Sequence, residues 1–524
     1  MGIPAYFVHV VKTHSEVIKE LKAGEVVDNL YIDSNSIVYD RVHAHKAPVD
    51  DTFESDVIAA TCSKIDEYVA AVKPAKRVIV AFDGVAPVAK LNQQRERRYK
   101  SWLERSVLDC SGARWDTCAI TPGTAFMARL TEEVTSFFAG RQNPRFVVSG
   151  PDKAGEGEHK IFKAIRSDAA YHRDTSTVVY GLDADLIMLA LNHLDVASRL
   201  YLYRETPHFI RSIDRSLEPG RSYAVDVPLF AERLGEELRG TMRTISDPLA
   251  RTRDYVFMCF FLGNDFLPHF PSINIRTTGI DTLMSTYRKC ASRKGFRLVR
   301  GVNIDWGGLR RFIGELAIGE QQRMEDEHAD RDARSRRPLR PREGESEAEC
   351  KLVNIPMEQR HNEKYISPAE DDWEWRYYKT LLDVEASTER RRDICVNYLE
   401  GLEWTLAYYT TGCKSYKWTY RYHYPPLLVD LAAYAPPFDT TFVQSDTSEP
   451  VAPLVQLAYV LPRSSLSLLP AGVRDVLEKH KPHWYEDRVE LLWAYCRYFW
   501  ESHAVLPHID LPELQQLVAE AVVN

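Results

Sequence analysis

Long apolar runs are missing from this 524-residue chain: nothing approaches the roughly 18 uninterrupted apolar residues that a membrane span needs, so no membrane role is expected. Paired cysteines are missing too. The nine cysteines are odd in number and scattered, and no CxxC occurs, which argues against both a disulfide framework and a zinc ribbon. A reducing, intracellular setting is expected, with the cytoplasm favoured over the nucleus. Nor is there a surplus of positive charge to scatter: 67 Lys and Arg stand against 75 Asp and Glu, a formal net charge of −8. The start MGIPAYF has Gly2, but Tyr6 stands where a myristoylation signal needs Ser or Thr, and no apolar signal core follows. Neither lipidation nor secretion is expected.

What is present describes a folded protein, with 44% hydrophobic and 11% aromatic residues. The length exceeds one ordinary hydrophobic core and suggests two or more structural units. From residue 28 to about 270, short β-branched runs (DNLYID, RVIVAFDG, RFVVSG, TVVYGLDADLIML) alternate with helix-like stretches. This pattern predicts an α/β domain with a mostly parallel central sheet flanked by helices. Residues 1–319 are assigned to it. Between 320 and 350 the chain turns to EQQRMEDEHADRDARSRRPLRPREGESEAE, mostly charged with little to bury, and a disordered, solvated linker is expected. Residues 351–524 are again aromatic-rich and helical, and should pack as a second region against the first.

The main chemical signal is where the acids sit. Asp33 ends NLYID, Asp83 ends VIVAFD, Glu156 and Glu158 lie in GEGEH after RFVVSG, Asp183 and Asp185 follow VVYGL, and Asp265 follows the buried-looking run in FFLGNDFLPH. Ligands of open α/β sheets bind beyond the carboxyl ends of the strands, so these segments deliver their acids to one edge. Any one of them alone reads as a turn residue or helix cap. Together they do not: two like charges about 4 Å apart cost on the order of 4 kcal/mol at an effective dielectric near 20, so a converging set needs cations. All-oxygen clusters suit Mg²⁺ or Mn²⁺, and two such ions can activate a water and stabilise the leaving oxygen in a displacement at phosphorus. Phosphodiester hydrolysis is the leading chemistry. Gly155 and Gly157 either let backbone NH groups approach an anion or simply make a tight turn. His159 reads as a structural hydrogen-bonder.

KLNQQRERRYK, residues 90–100, carries five basic residues and one acidic residue in this acidic chain. If Ala89 to Trp102 is helical, then Lys90, Gln94, Arg97 and Arg98 share one face, while Arg95 and Lys100 point elsewhere. One point charge, one amide and two guanidinium forks match a terminal phosphate better than they match a general solvated face. Base stacking on aromatics would complete a single-strand site. Tyr39, close to Asp33, and Trp418, in KSYKWTYRYHY, are the candidates.

The motifs MGIPAYF, DSNSIVYD, FDGVAPVAKLNQQRERR, ITPGTAFM, GPDKAGEGEHKI, YGLDADLIML and FLGNDFLPHFPS, in this order, resemble the Xrn family of 5′→3′ exoribonucleases, within the wider superfamily of flap endonucleases and PIN-like nucleases. The resemblance continues through GLEWTLAYYTTGCKSYKWTYRYHYPPLLVDL and PLVQLAYVLPRSSLSLLP, which are similar to the family's second conserved region and which flap endonucleases lack. It covers nearly the whole chain.

The resemblance implies a PIN-like nuclease fold, with Asp33, Asp83, Glu156, Glu158, Asp183, Asp185 and Asp265 as catalytic acids holding two Mg²⁺ or Mn²⁺ ions. It implies a 5′-monophosphate pocket of Lys90, Gln94, Arg97 and Arg98, and base stacking by Trp418, with Trp404 and Tyr416 close enough to take that place instead. Tyr39 stands where cellular members usually carry a histidine, so stacking is kept and a titratable proton is lost. The implied activity is processive 5′→3′ hydrolysis of single-stranded, 5′-monophosphorylated RNA to 5′-mononucleotides in RNA decay, by a monomer without a small-molecule cofactor. The chain looks like a compact, core-only member without long C-terminal extensions. The rival readings are a DNA flap nuclease and a non-catalytic RNA-binding scaffold.

Overall fold

The structure is a computed structural model, and it describes residues 6–20, 26–108, 115–205, 217–218, 221–239, 248–293, 295–342, 344–384, 387–446 and 449–523. Gly2, on which the lipidation reading turns, lies outside the described residues. Among the described residues no helix is long and apolar enough to cross a membrane, and all eight cysteines are free thiols.

Strands β1 (Ile18–Glu20), β2 (Asn29–Asp33), β3 (Arg77–Ala81), β4 (Arg145–Ser149), β5 (Thr177–Tyr180), β6 (Leu200–Glu205) and β7 (Ser222–Asp226) form one sheet in the order β1-β7-β6-β5-β2-β3-β4. The run β4-β3-β2-β5-β6 is parallel. At one edge β7 pairs antiparallel with β6, and β1 antiparallel with β7. All five residues of β2 are buried, as expected for a central strand with helices on both faces. Its side chains alternate between two cores: Leu30 and Ile32 pack into one, Tyr31 into the other. From β2 the chain runs outward through β3 and β4, then returns to β5 on the other side of β2. The strand order therefore reverses between β2 and β5, which opens the crevice where ligands bind in such sheets.

The core behind Tyr31 does not stop at the sheet. It runs on into Tyr398, Leu402, Trp404, Leu406 and Tyr409 of the long helix Thr388–Thr410, and into Leu428 and Leu431 beyond. Sheet and mainly helical second region thus share one apolar interior.

The stretch 320–350, expected from composition to be a disordered linker, is largely helical: Glu320–Ser335 is one helix, and Glu347–Glu358 begins another behind a Ser346–Glu349 capping box. The first helix buries Glu320, Met324, Glu327 and Arg331, at helical spacing. Its charges are tolerated inside because they meet partners far away in sequence. Arg331 binds both oxygens of Glu363 at 2.9 and 2.7 Å, and Arg360 donates to the same carboxylate at 2.5 Å. The Glu320 carboxylate accepts the Leu428 NH. Local composition shows many charges but not that they are neutralised from elsewhere, which is why it misleads here.

Candidate active site

The parallel strands deliver the acids to one edge. Asp33 is the last residue of β2, Asp83 follows β3 by two residues, and Asp183 and Asp185 follow β5. Glu156 and Glu158 open the helix Gly157–Ser167 after β4. Asp33, Glu156, Glu158 and Asp185 are buried, Asp83 is half-buried and Asp183 is exposed. Carboxylate oxygens of Asp33, Asp83 and Glu158 lie within 4.8 Å of one another, and a second group joins Glu156 and Glu158 to His159.

The glycines of GEGEH make this approach possible. A Cβ on Gly157 would sit 2.3 Å from Asp33 Oδ1, so any side chain there would push the carboxylate away. The Gly157 NH donates to Asp83 Oδ1 at 2.8 Å. Gly155 has φ +102°, a left-handed conformation that favours glycine, and its NH is taken up by the Val85 carbonyl at 2.8 Å. Of the two readings left open for these glycines, the tight turn is the one built: both NH groups shape the acid site itself.

Side chains that sequence reasoning passed over hold the acids in place. Asn35 donates to Asp83 Oδ2 at 2.7 Å and accepts the Asp83 NH at 3.1 Å. Lys160 Nζ ties the loops after β3 and β4 together through the Phe82 and Gly150 carbonyls, both at 2.7 Å. From the second region Tyr408 donates to Glu156 Oε2 at 2.8 Å. Asn35 sits inside the quoted motif DSNSIVYD, two residues past Asp33, where it could have been noticed. Nothing in the sequence marks Tyr408 among so many tyrosines.

The site is electrostatically overloaded. Burial, then the charges of Asp83, Asp183 and Glu156, push Asp33 well above the ordinary carboxylate range. Burial followed by Glu156 and Asp33 does the same to Glu158, and burial followed by Asp265 lifts Asp185 to about 7. Burial also raises Glu156, with Lys90 opposing. Asp265 is the exception: burial pushes it up, but Lys90 and further positive charge together hold it below the usual range. Among the described residues, Asp33 Oδ1 and Asp185 Oδ1 are buried without a hydrogen-bond partner. Carboxylates crowded in this way, with orphaned oxygens, fit divalent cations, and no nitrogen or sulfur donor is needed to complete the set.

The basic helix spans Val88–Val107, longer than the Ala89–Trp102 read from sequence. Gln94 and Arg98 are buried, and each has an atom without a partner among the described residues, Gln94 Oε1 and Arg98 Nη1. The other end of the Arg98 fork is fixed by Thr121 Oγ1 at 2.5 Å. Arg97 beside it is half-buried. Lys90, grouped with these three by helical spacing, reaches the acids instead: its Nζ lies 2.5 Å from Glu156 Oε1 and 2.6 Å from Asp265 Oδ2. Its charge thus belongs to the acid cluster. Arg95 and Lys100 are spent on backbone carbonyls, Arg95 on Pro507 and Trp484, Lys100 on Trp500 and Ser502.

Tyr39 is half-buried, and its hydroxyl is an electrostatic neighbour of Arg98. Trp418 is half-buried and stacks on Trp404 with ring centroids 5.0 Å apart and planes at 25°. Trp404 in turn stacks on Tyr408 at 4.8 Å and is fully buried, so it has no face left for a base. Tyr416 is half-buried. His159 lies 3.7 Å from the Tyr408 ring centroid, and burial followed by Lys90 keeps it neutral, well below the usual histidine value.

An open, mostly parallel sheet whose crevice is lined by carboxylates at a topological switch point defines a PIN-like nuclease. The comparisons with known proteins go one step further. Residues 1–206 match the profile of the XRN 5′-3′ exonuclease N-terminus, and residues 251–370 and 358–522 match that of the Xrn1 helical domain. The chain belongs to the Xrn family of 5′-3′ exonucleases. It is 28% identical to the 5′-3′ exoribonuclease 2 homolog of Drosophila melanogaster, over 100% of this chain and 72% of that protein. It is 27% identical to 5′-3′ exoribonuclease 2 of Gallus gallus, over 99% of this chain and 70% of that one. With 5′-3′ exoribonuclease 1 of Saccharomyces cerevisiae it shares 26% identity, over 97% of this chain and 42% of the yeast protein.

Proposed function

We propose that this protein is a processive 5′→3′ exoribonuclease that hydrolyses single-stranded, 5′-monophosphorylated RNA to 5′-mononucleotides and serves in RNA decay as a monomer. One observation carries the reading: a single helix presents Lys90 to the acid cluster and, one to two turns on, carries the buried Gln94 and Arg98 with the half-buried Arg97 between them. That spacing fits a terminal phosphate held just beyond a scissile one.

In this account the free Arg98 Nη1, the Arg97 guanidinium and Gln94 bind the 5′ phosphate, Thr121 keeping the Arg98 fork aimed. Tyr39 and Trp418 stack the first bases. Lys90 contributes a positive charge at the join between the two sites, where the scissile phosphate enters a set of buried carboxylates. Asp33, Asp83, Glu156, Glu158, Asp183, Asp185 and Asp265 would hold two divalent cations, Mg²⁺ or Mn²⁺, which supply Lewis acidity at the phosphorus centre when bound. Asn35, Gly157 and Tyr408 fix the direction of the acids. Each cleavage leaves a new 5′-monophosphate for the same pocket, which makes repeated turnover along one strand a natural outcome.

The test is to give the full chain a single-stranded RNA labelled at its 3′ end and, separately, a DNA with a 5′ flap, in Mg²⁺ or in EDTA. The reading expects labelled 5′-mononucleotide to appear late, after processive passage along the RNA, and only with the cation. Preferred cutting at the flap junction would point to a flap nuclease, and binding without turnover to a scaffold.

A further inference from the structure

On the side of the basic helix away from the phosphate pocket lies a second group of metal-ligating side chains, chemically unlike the first. Glu96 projects from that helix, His423 comes from the stretch KSYKWTYRYHY, and His503 starts the strand His503–Val505, which pairs with Glu490–Leu492. One ligand atom from each lies within 4.8 Å of the other two. Glu96 Oε1 is 4.0 Å from His423 Nδ1, and the two imidazoles are 5.5 Å apart between centroids. All three line a cavity of about 590 Å³.

We propose that Glu96, His423 and His503 form a second metal site that takes Zn²⁺, distinct in its residues and ligand chemistry from the carboxylate cluster, two of whose acids, Asp183 and Asp265, line the same cavity. Two imidazoles and one carboxylate make a donor set of intermediate softness, which suits zinc, whereas Mg²⁺ prefers oxygen alone. Tetrahedral zinc with bonds of about 2.1 Å places its ligand atoms about 3.4 Å apart, so the observed spacing closes by roughly an ångström of side-chain rotation. Because all three residues line the cavity, a water would be able to take the fourth position.

The surroundings favour that cation. Burial and the nearby Lys100 keep the His423 ring neutral, and burial together with His423 and Lys100 does so more strongly for His503. Neutral imidazole is the ligating form, so neither ring has to give up a proton. Burial raises Glu96 to about 7, with Lys100 opposing, and a bound dication would hold this carboxylate ionised. The Ala504 NH already points at its other oxygen, at 3.4 Å. Of the remaining charges, Lys100 Nζ is engaged by the Trp500 and Ser502 carbonyls at 2.9 and 2.6 Å, Arg95 by the Pro507 and Trp484 carbonyls, and Glu501 by Arg276.

The three ligands come from three distant segments, His423 lying 327 residues beyond Glu96 and His503 a further 80. Zinc would therefore pin the helix that carries Gln94, Arg97 and Arg98 to both the aromatic loop and the C-terminal hairpin.

The experiment uses the full chain, stripped with chelator and then held in excess Mg²⁺ to occupy the carboxylate cluster. Zinc uptake is measured by elemental analysis and by thermal shift, and Co²⁺ serves as a spectroscopic stand-in. Wild type is expected to retain one equivalent of zinc through gel filtration, to melt at a higher temperature with zinc than without, and to show the intense visible absorption of nitrogen-ligated, four-coordinate cobalt. His423→Ala should lose all three signals. Glu96→Gln, which leaves both rings in place, should weaken zinc binding at least tenfold. Zinc retention and cobalt spectra that are the same in wild type and both variants, or no retention by wild type, would overturn the proposal.

Discussion

The Tyr408 hydroxyl donates to Glu156 Oε2 at 2.8 Å across 252 residues of chain. This bond makes the second region part of the active site, because the same tyrosine lies on the Trp404 ring that carries Trp418. Tyr408→Phe keeps the stack and removes only the donor. A hydrogen bond to a charged group contributes about 1.5–3 kcal/mol, so single-turnover hydrolysis should slow by about tenfold or more, with little change in RNA affinity. Rates measured across Mg²⁺ concentrations check it, and an unchanged curve would remove Tyr408 from the site.

Gly157→Ala tests the close packing of the acids. Its Cβ would meet Asp33 Oδ1 at 2.3 Å, and displacing a reacting group by about 1 Å can cost on the order of 10²-fold in rate. The expected outcome is a folded protein, judged by near-UV circular dichroism, that still binds 5′-monophosphorylated RNA but cleaves it about 10²-fold more slowly. Wild-type cleavage would mean that Asp33 needs no such approach.

Thr121 is the anchor of Arg98, at 2.5 Å. Thr121→Val preserves shape and leaves the buried guanidinium without that acceptor, so the fork is no longer aimed. The preference for 5′-monophosphate over 5′-hydroxyl RNA should fall about tenfold. Competition binding with the two RNAs reads this directly, and an undiminished preference would place the phosphate elsewhere.

Glu320 gives a pH test away from the chemistry. Burial lifts it to about 7 from an ordinary value of 4.5, against the Leu428 NH that it accepts. A carboxyl raised in the folded state contributes stability below about pH 4.5, and that contribution is lost as pH rises through 7. Glu320→Gln keeps an acceptor and cannot ionise. Its melting temperature should match wild type near pH 5 and exceed it at pH 8, by the equivalent of at most on the order of 3 kcal/mol. No pH dependence in the difference would contradict the burial of an ionisable group there.

Much of this could be seen in the sequence, and the misses have a common cause. The parallel sheet and its acids were legible because strand ends are marked locally, by apolar runs that stop at Asp33, Asp83 and Tyr180. Helical spacing alone groups Gln94, Arg97 and Arg98, and the structure does place them on one helix. Lys90 obeys the same spacing, but the pull of Glu156 and Asp265 decides where its ammonium goes, and those charges arrive from distant segments, one after β4 and one after the helix Pro248–Cys259. Arg331 and Glu320 were misjudged for the same reason, since their neutralising partners lie dozens of residues away. Tyr408 was missed because its only signal is a neighbour 252 positions distant.

The central claim is that the basic helix reads the 5′ end of RNA for the acids beside it. The most direct measurement compares rates on 5′-monophosphate and 5′-triphosphate forms of one RNA, in Mg²⁺, for wild type and for Arg97→Ala with Arg98→Ala. The account predicts that wild type strongly prefers the monophosphate and that the double variant loses most of this preference while its metal-dependent cleavage persists at a reduced rate. Equal wild-type rates on the two ends, or a preference that survives in the variant, would contradict it.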